Sequence, residues 1–240
     1  MSIKKINENW TALGNADPFW VVLTDPAKKG NRWQEDDFFE TGRTAIESVF
    51  EQLCSAGISV NTGRALDFGC GVGRLTQALA ARFEFVDGVD VSDSMIKKAQ
   101  ELNKFPQRAA FHVNVREDLG AFPASQYDFV CSLIVLQHIP TRLQANYITD
   151  FMRLLKPGGV GLFQTVHFKS WRRLIPDFAV DSYRRLKHKG KPFIPMYGIS
   201  PDRIYRIVDR ANGKVHRRDS TAYPGYESRL ANDVFIVRKN

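Results

Sequence analysis

Glycines and a carboxylate at fixed spacings give the clearest chemical signal in this sequence. Residues 65–75 read ALDFGCGVGRL, with Gly69, Gly71 and Gly73 alternating directly after a short apolar run. Glycines in such a turn allow a ligand to approach the backbone closely. Asp90 follows Gly71 by nineteen residues, and a carboxylate at a strand end there can accept hydrogen bonds from both hydroxyls of a ribose.

Two common nucleotide sites do not fit this segment. The dinucleotide fingerprint needs glycine or alanine where Arg74 stands, so that the helix packs tightly below a pyrophosphate. The phosphate-binding loop of nucleoside triphosphatases also fails, because no Gly-Lys-Ser/Thr sequence follows the turn.

The elements that must position these residues alternate along the chain. Seven segments have strand character, namely 64–68, 85–91, 110–115, 129–133, 160–165, 214–222 and 234–239. Helical patterns follow the first, second and fourth of these segments, and this alternation predicts a parallel sheet with helices on both faces. The last two are close enough to form an antiparallel pair. We therefore predict a Rossmann-like α/β fold with a seven-stranded mixed sheet, mostly parallel, that ends in a C-terminal antiparallel hairpin.

Composition suggests the domain organisation. An aromatic-rich N-terminal cap with the first helix is expected over residues 1–63, and the core over 64–240. Within the core, residues 166–199 form a basic insert with eight Lys or Arg and two Asp, which supplies most of the net charge of +8. Such a segment suits an anionic substrate, nucleic acid or a membrane surface, or it is simply a solvated basic face.

Hydropathy and cysteine content argue against a membrane-spanning, secreted, disulfide-rich or zinc-binding protein. The longest nearly unbroken apolar run, 129–136, is far below the roughly 20 residues that span a bilayer. The N-terminus has no signal-peptide pattern. The three cysteines have spacings that suit neither a disulfide framework nor a zinc site. We expect a cytoplasmic protein, and no cluster of metal ligands stands out.

Four motifs in order resemble those of the class I S-adenosylmethionine-dependent methyltransferases. Residues 67–73 resemble the family's first motif, 85–96 the second, 127–139 the fourth and 154–159 the fifth. The resemblance covers roughly residues 64–165. It implies S-adenosyl-L-methionine as the cofactor and methyl transfer as the reaction.

The same resemblance implies cofactor contacts position by position. The three glycines would let the backbone approach the methionine part, with Asp67 fixing the turn and reaching toward its amino group. Asp90 would hold the ribose, and Val91 would pack on the adenine. Asn114 and Val115 stand where the family usually has an acidic and a small residue, and the Asn114 amide can still accept from the adenine amino group.

Three further positions complete the predicted cofactor site. Ser132 and Leu133 are expected to line the methionine end. Arg43 is expected to pair with the cofactor carboxylate, and the alternative is a surface arginine at a helix start.

Transfer to a hydroxyl benefits from a general base, for which histidine is suited. His138 follows the fourth strand, on the side where cofactor and acceptor should meet, and is the first choice. His167 follows the fifth strand and is the second. A helix-cap or packing role is the alternative for either histidine.

The basic insert is expected to form the acceptor pocket. Arg172, Arg173 and Arg184 can neutralise phosphate or carboxylate groups, and Tyr197 is expected near the pocket mouth. The predicted function is O-methylation of a small polar or anionic acceptor, such as a sugar or glycan intermediate or another metabolite. The alternatives are an RNA methyltransferase that uses the insert, and a cofactor-binding module without turnover. The sequence specifies neither the acceptor nor the oligomeric state.

Overall fold

The fold is known from a computed structural model that describes residues 1–169, 175–189, 191–222 and 230–240. The strands are β1 (Arg64–Phe68), β2 (Phe85–Asp90), β3 (Ala109–Val113), β4 (Tyr127–Ser132), β5 (Leu155–Phe168), β6 (Gly213–Ala222) and β7 (Leu230–Lys239). They form one sheet with the order β3-β2-β1-β4-β5-β7-β6. The predicted seven-stranded sheet with a C-terminal antiparallel hairpin is thereby confirmed.

Eight α-helices lie in the described residues. They are α1 (Ile3–Ala16), α2 (Pro18–Val22), α3 (Glu35–Ser55), α4 (Arg74–Ala80), α5 (Asp93–Glu101), α6 (Thr141–Leu154), α7 (Asp177–His188) and α8 (Pro201–Arg210). Short 3-10 turns occupy Pro26–Lys28 and Leu136–His138. Among the described helices, none combines the length and the apolar character needed to cross a bilayer.

The chain forms two compact units. The N-terminal unit contains residues 4–115 and 127–131, and the C-terminal unit contains residues 1–3, 116–126 and 132–240. The predicted boundary after residue 63 does not coincide with this division, because α3 packs against α4 within the N-terminal unit.

In the N-terminal unit, β1 pairs in parallel with β2 on one side and with β4 on the other. Phe83 and Phe129 stack in its core, with ring centroids 5.8 Å apart. Their burial, with that of the apolar strand residues around them, supplies the hydrophobic stabilisation of this unit.

A buried carboxylate connects all four strands of this unit. Asp87 on β2 accepts hydrogen bonds from Arg64 Nε at 2.7 Å, from the Tyr127 hydroxyl at 3.0 Å, and lies 2.8 Å from His112 Nε2. Burial raises the pKa of Asp87, but the hydrogen bonds from His112 and Arg64 outweigh burial, so the pKa lies below its ordinary value. Asp87 is therefore charged at neutral pH.

We expect Asp87→Asn to destabilise the protein by about 2–3 kcal/mol, because the amide is a poorer acceptor and leaves the Arg64 charge without its partner. Urea denaturation followed by circular dichroism measures the change. Asp118→Asn is the matched control, since its carboxylate is exposed, and it should leave the urea midpoint unchanged. A midpoint for Asp87→Asn equal to that of the wild type would contradict the structural role of this carboxylate.

In the C-terminal unit, β7 lies between β5 and β6 and is antiparallel to both. The ladder between β5 and β7 begins at Val160, which is where the sequence predicts the fifth strand, although the extended chain begins at Leu155. Phe163 and Phe235 stack across this ladder, with ring centroids 5.6 Å apart. The long β5 carries His167 close to its C-terminal end.

Candidate functional site

The glycine turn after β1 depends on left-handed backbone. Gly69, Gly71 and Gly73 have φ angles of 77°, 54° and 85°, which residues with a Cβ rarely adopt. A Cβ on Gly73 would also lie 2.9 Å from the Phe111 ring. The amide of Gly69 donates to the Val89 carbonyl at 2.7 Å, so the turn is fixed to the end of β2.

Asp90 holds this turn from the neighbouring strand. Its Oδ2 accepts from the Gly71 amide at 2.9 Å, and its Oδ1 accepts from the Ser92 amide at 2.9 Å. Burial raises the pKa of Asp90, and these two amide bonds oppose that shift. A carboxylate has about four acceptor positions, so two amides leave each oxygen the capacity for a further donor. This donor set fits the vicinal hydroxyls of a ribose.

The carboxylate of Asp67, on β1, is hydrogen-bonded within the N-terminal unit. Its Oδ2 accepts from the Thr76 hydroxyl at 2.6 Å, which ties β1 to α4. Burial raises the pKa of Asp67 to about 6, against the opposing effect of the Thr76 hydrogen bond. The expected contact of Asp67 with a cofactor amino group stays a prediction.

The two arginines near the turn differ in burial. Arg43 is exposed on α3, where its guanidinium pairs with Glu40, as in the surface alternative. Arg74 is buried at the start of α4, and its Nη1 donates to the Thr41 carbonyl at 3.1 Å. A Cβ on Gly42 would lie only 2.3 Å from the Arg74 carbonyl oxygen. Glycine at position 42 therefore lets α3 approach α4 closely enough to bury Arg74.

The N-terminal helices cover the end of β2. Asn7 Nδ2 on α1 donates to the Val91 carbonyl at 2.5 Å, and the Ser94 hydroxyl donates to the Thr11 carbonyl at 3.1 Å. A Cβ on Gly71 would lie 2.9 Å from Val22 Cγ2, so the end of α2 lies directly against the glycine turn. The aromatic residues of the N-terminal segment were the only sequence signal for this covering.

The remaining predicted cofactor residues lie at strand ends. The backbone amide of Asn114 donates to the backbone carbonyl of Asp90 at 2.8 Å, which places Asn114 beside the end of β2. Asn114 is buried, whereas Val115 is exposed. In the C-terminal unit, Ser132 is buried at the end of β4, and Leu133 is half-buried.

Residues 195–199 of the C-terminal unit, which we call the strap, hold His138 in place. Nδ1 of His138 lies 2.6 Å from the Pro195 carbonyl oxygen. Since a carbonyl can only accept, Nδ1 carries the proton and Nε2 has the lone pair. Burial, with a smaller effect of the nearby Arg184, lowers the pKa of His138 to about 4, against the opposing effect of the Pro195 hydrogen bond. His138 is therefore neutral at pH 7.

Two of the predicted acceptor-site residues, Tyr197 and Arg184, meet at the strap beside His138. The Tyr197 amide donates to the Gln137 carbonyl at 2.7 Å, next to His138. Nη2 of Arg184 on α7 donates to the Met196 carbonyl at 2.6 Å. Nη1 of Arg184 is also buried and has no hydrogen-bond partner among the described residues. Within the described part of the chain, a buried cationic donor close to His138 is thus left without an acceptor.

Tyr197 does not lie at a pocket mouth, contrary to expectation. Its side chain is buried, and its hydroxyl donates to Asp181 on α7. The strap thereby turns Tyr197 toward the interior of the unit. Arg172 and Arg173 lie outside the described residues.

His167 has a different environment at the end of β5. Its Nδ1 lies 2.5 Å from Asp233 Oδ2 on β7. Asp233 is fully buried and also accepts from Arg218 Nε at 2.9 Å. A carboxylate in this position fixes the Nδ1–H tautomer, which leaves the lone pair on Nε2. Sequence reasoning missed Asp233 and Arg218, because the antiparallel pairing of β5, β7 and β6 brings them to His167.

The depressed pKa of His138 predicts a pH dependence of stability. Between pH 6.5 and about 4 the unfolded chain binds a proton that the folded chain does not, so stability falls as the pH falls through this range. The expected loss is roughly 3 kcal/mol. His138→Asn keeps a donor for Pro195 but does not titrate. Urea denaturation at pH 7 and pH 4 should therefore show a smaller loss for the variant than for the wild type, and equal losses would contradict the assignment.

Comparison with known proteins gives the following matches. Residues 65–159 match a family model described as a methyltransferase domain. The chain is 32% identical over 111 residues to a ubiquinone biosynthesis O-methyltransferase of Aromatoleum aromaticum, covering 45% of this chain and 47% of the relative. It is 30% identical over 143 residues to the protein of the same name from Xanthomonas campestris pv. campestris, covering 59% of each. The chain thus spans about half the length of the curated relatives it matches.

Solved structures share the fold at lower sequence identity. The magnesium protoporphyrin IX methyltransferase of Synechocystis PCC 6803, solved with bound SAH, has a TM-score of 0.64 at 19% identity and covers 99% of both chains. A SAM-dependent methyltransferase of Methanosarcina mazei has a TM-score of 0.55 at 18% identity, covering 73% of this chain and 92% of that one. At these identities the likeness concerns the fold.

Proposed function

We propose that this chain, which belongs to the class I S-adenosylmethionine-dependent methyltransferases, methylates a hydroxyl oxygen of a small acceptor that carries an anionic or strongly polar group. Asp90 gives the main support, because its carboxylate both fixes the glycine turn and keeps acceptor capacity for ribose hydroxyls. Oxygen as the methylated atom agrees with the curated relatives, which are named as O-methyltransferases.

The residues of the N-terminal unit would hold the cofactor. S-adenosylmethionine, when bound, supplies a methyl group that its sulfonium already activates. The backbone of the glycine turn and the carboxylate of Asp90 would bind and orient it, with Val91 and Asn114 beside the adenine. Orientation of the reactants alone contributes several kcal/mol to such a displacement.

We assign the general base to His167 in preference to His138. A base gains a positive charge when it takes the proton of the acceptor hydroxyl. Asp233, next to His167 Nδ1, stabilises that charge, and Nε2 is then the atom that receives the proton. His138 has a carbonyl at Nδ1, and burial and Arg184 both disfavour its protonated form. The environment of His138 suits a neutral hydrogen-bonding residue in the acceptor site.

Arg184 is the residue to which we assign an anionic group of the acceptor. Its buried Nη1 makes no hydrogen bond with a described residue, and a buried donor without a partner is costly. A carboxylate or phosphate oxygen on the acceptor would satisfy it with a charge-assisted hydrogen bond. This preference for an anion separates the proposed acceptor from a neutral sugar.

Asp90→Ala should weaken S-adenosylmethionine binding by at least tenfold, roughly the effect of losing one charge-assisted pair. Isothermal titration calorimetry measures the affinity. Asp93→Ala, with an exposed carboxylate in the first turn of α5, is the control and should bind as the wild type does. A wild-type chain that fails to bind S-adenosylmethionine would refute the proposed function.

His167→Asn should lower kcat by about 10²–10³-fold, the usual contribution of a general base, with cofactor affinity unchanged. The asparagine amide can still donate to Asp233, so folding is preserved while Nε2 is lost. Turnover is followed as S-adenosylhomocysteine release during a screen of anionic hydroxylated acceptors.

Further variants test whether the base is His167 and not another histidine. His216→Asn, in an exposed position on β6, should turn over at the wild-type rate. Imidazole in solution should restore part of the activity of His167→Ala. If His138→Asn abolishes turnover while His167→Asn retains it, the base is His138.

A further inference from the structure

Helix α7 turns charged residues toward its unit and large apolar residues toward solvent, the reverse of an ordinary surface helix. Asp177, Asp181 and Arg184 are spaced at i, i+4 and i+7 and share one face. All three form hydrogen bonds toward the interior of the unit. Asp177 accepts from the backbone amide of the first residue of α6, and Asp181 accepts from the Tyr197 hydroxyl. Arg184 donates to a backbone carbonyl of the strap. The helix is therefore attached to its unit through polar groups, whereas surface helices normally bury their apolar stripe.

The outward face of α7 carries large apolar side chains. Phe178 is 74% exposed, Tyr183 is 65% exposed and Leu186 is 81% exposed. They are the three most exposed large hydrophobic residues among those that the structure describes. Three large exposed apolar side chains on one side of a helix that is fixed to its unit on the other side mark an interaction surface.

Along α7 and the segment that follows it, the described charged residues that do not bond inward include three exposed lysines and no carboxylate. Lys187, Lys189 and Lys191 follow at the C-terminal end of α7, are exposed, and form no ion pair with any described residue. The two carboxylates of α7 belong to the inward face. The outward surface therefore combines aromatic and aliphatic side chains with cations that no described carboxylate neutralises.

We propose that the outward face of α7 binds the surface of an anionic lipid bilayer. Phe178, Tyr183 and Leu186 would enter the boundary between headgroups and acyl chains, and the lysines would contact the lipid phosphates. Helices that lie in a membrane interface have this combination of residues. The proposal concerns the surface alone and does not depend on the identity of the methyl acceptor.

Leu186 distinguishes a bilayer from the other occupants of such a surface. Single-stranded nucleic acid would use the aromatic rings for stacking and the lysines for phosphates, but an aliphatic side chain as exposed as Leu186 gains little from a base. A second copy of this chain would bring its own lysines against these lysines. An anionic bilayer satisfies the aliphatic, aromatic and cationic residues together.

Vesicle co-sedimentation tests the proposal with the full chain. The wild type should sediment with vesicles of phosphatidylcholine mixed with phosphatidylglycerol, and should stay in solution with phosphatidylcholine alone. The double variant F178S/L186S should bind at least roughly tenfold more weakly. The triple variant K187Q/K189Q/K191Q should lose roughly a hundredfold, at about 1 kcal/mol for each lysine.

Tyr205→Ser is the matched control, because Tyr205 is a partly exposed aromatic residue on α8, away from α7 in the chain. It should bind vesicles as the wild type does, and thermal unfolding should show that all variants are folded. A wild type that does not bind the anionic vesicles would overturn the proposal. Equal binding to both vesicle types would also overturn it. The same holds if the wild type binds no vesicles but self-associates in a way that F178S/L186S abolishes, or if it binds a short RNA but no vesicles.

Discussion

The shape of the candidate cofactor site depends on the two hydrogen bonds that the Asp90 carboxylate accepts. One carboxylate holds the Gly71 amide of the turn and the Ser92 amide at the N-cap of α5. The turn has its shape only because glycine tolerates left-handed backbone. The end of β2, the turn after β1 and the start of α5 are thus fixed to one another before any ligand binds.

Much of this arrangement could be predicted from the sequence, since it is local. The turn needs glycines, the buried strands need apolar runs, and Ser92 is a typical N-cap residue. The structure places β1 on 64–68, as the sequence predicts, and Ser92 is the N-cap of α5. These features depend on residues a few positions apart.

The features that were missed depend on residues far apart in the chain. Arg74 is buried because Gly42, on a distant helix, permits close packing, and no periodicity in either segment shows this. Tyr197 is buried because Asp181 accepts its hydroxyl. Asp233 reaches His167 through strand pairing. Sequence patterns identified the residue types, and only the tertiary structure decides which of them meet.

The strap connects α7 to the groups around His138, where we propose that the acceptor binds. Arg184 and Asp181 attach the helix to the strap, and Pro195 of the strap binds His138. An influence that orders α7 from outside therefore also orders the groups around His138. Such a coupling is reciprocal: in the proposed scheme, an acceptor bound to Arg184 would change the affinity of the outer face for a bilayer by the same factor as the bilayer would change the affinity for the acceptor.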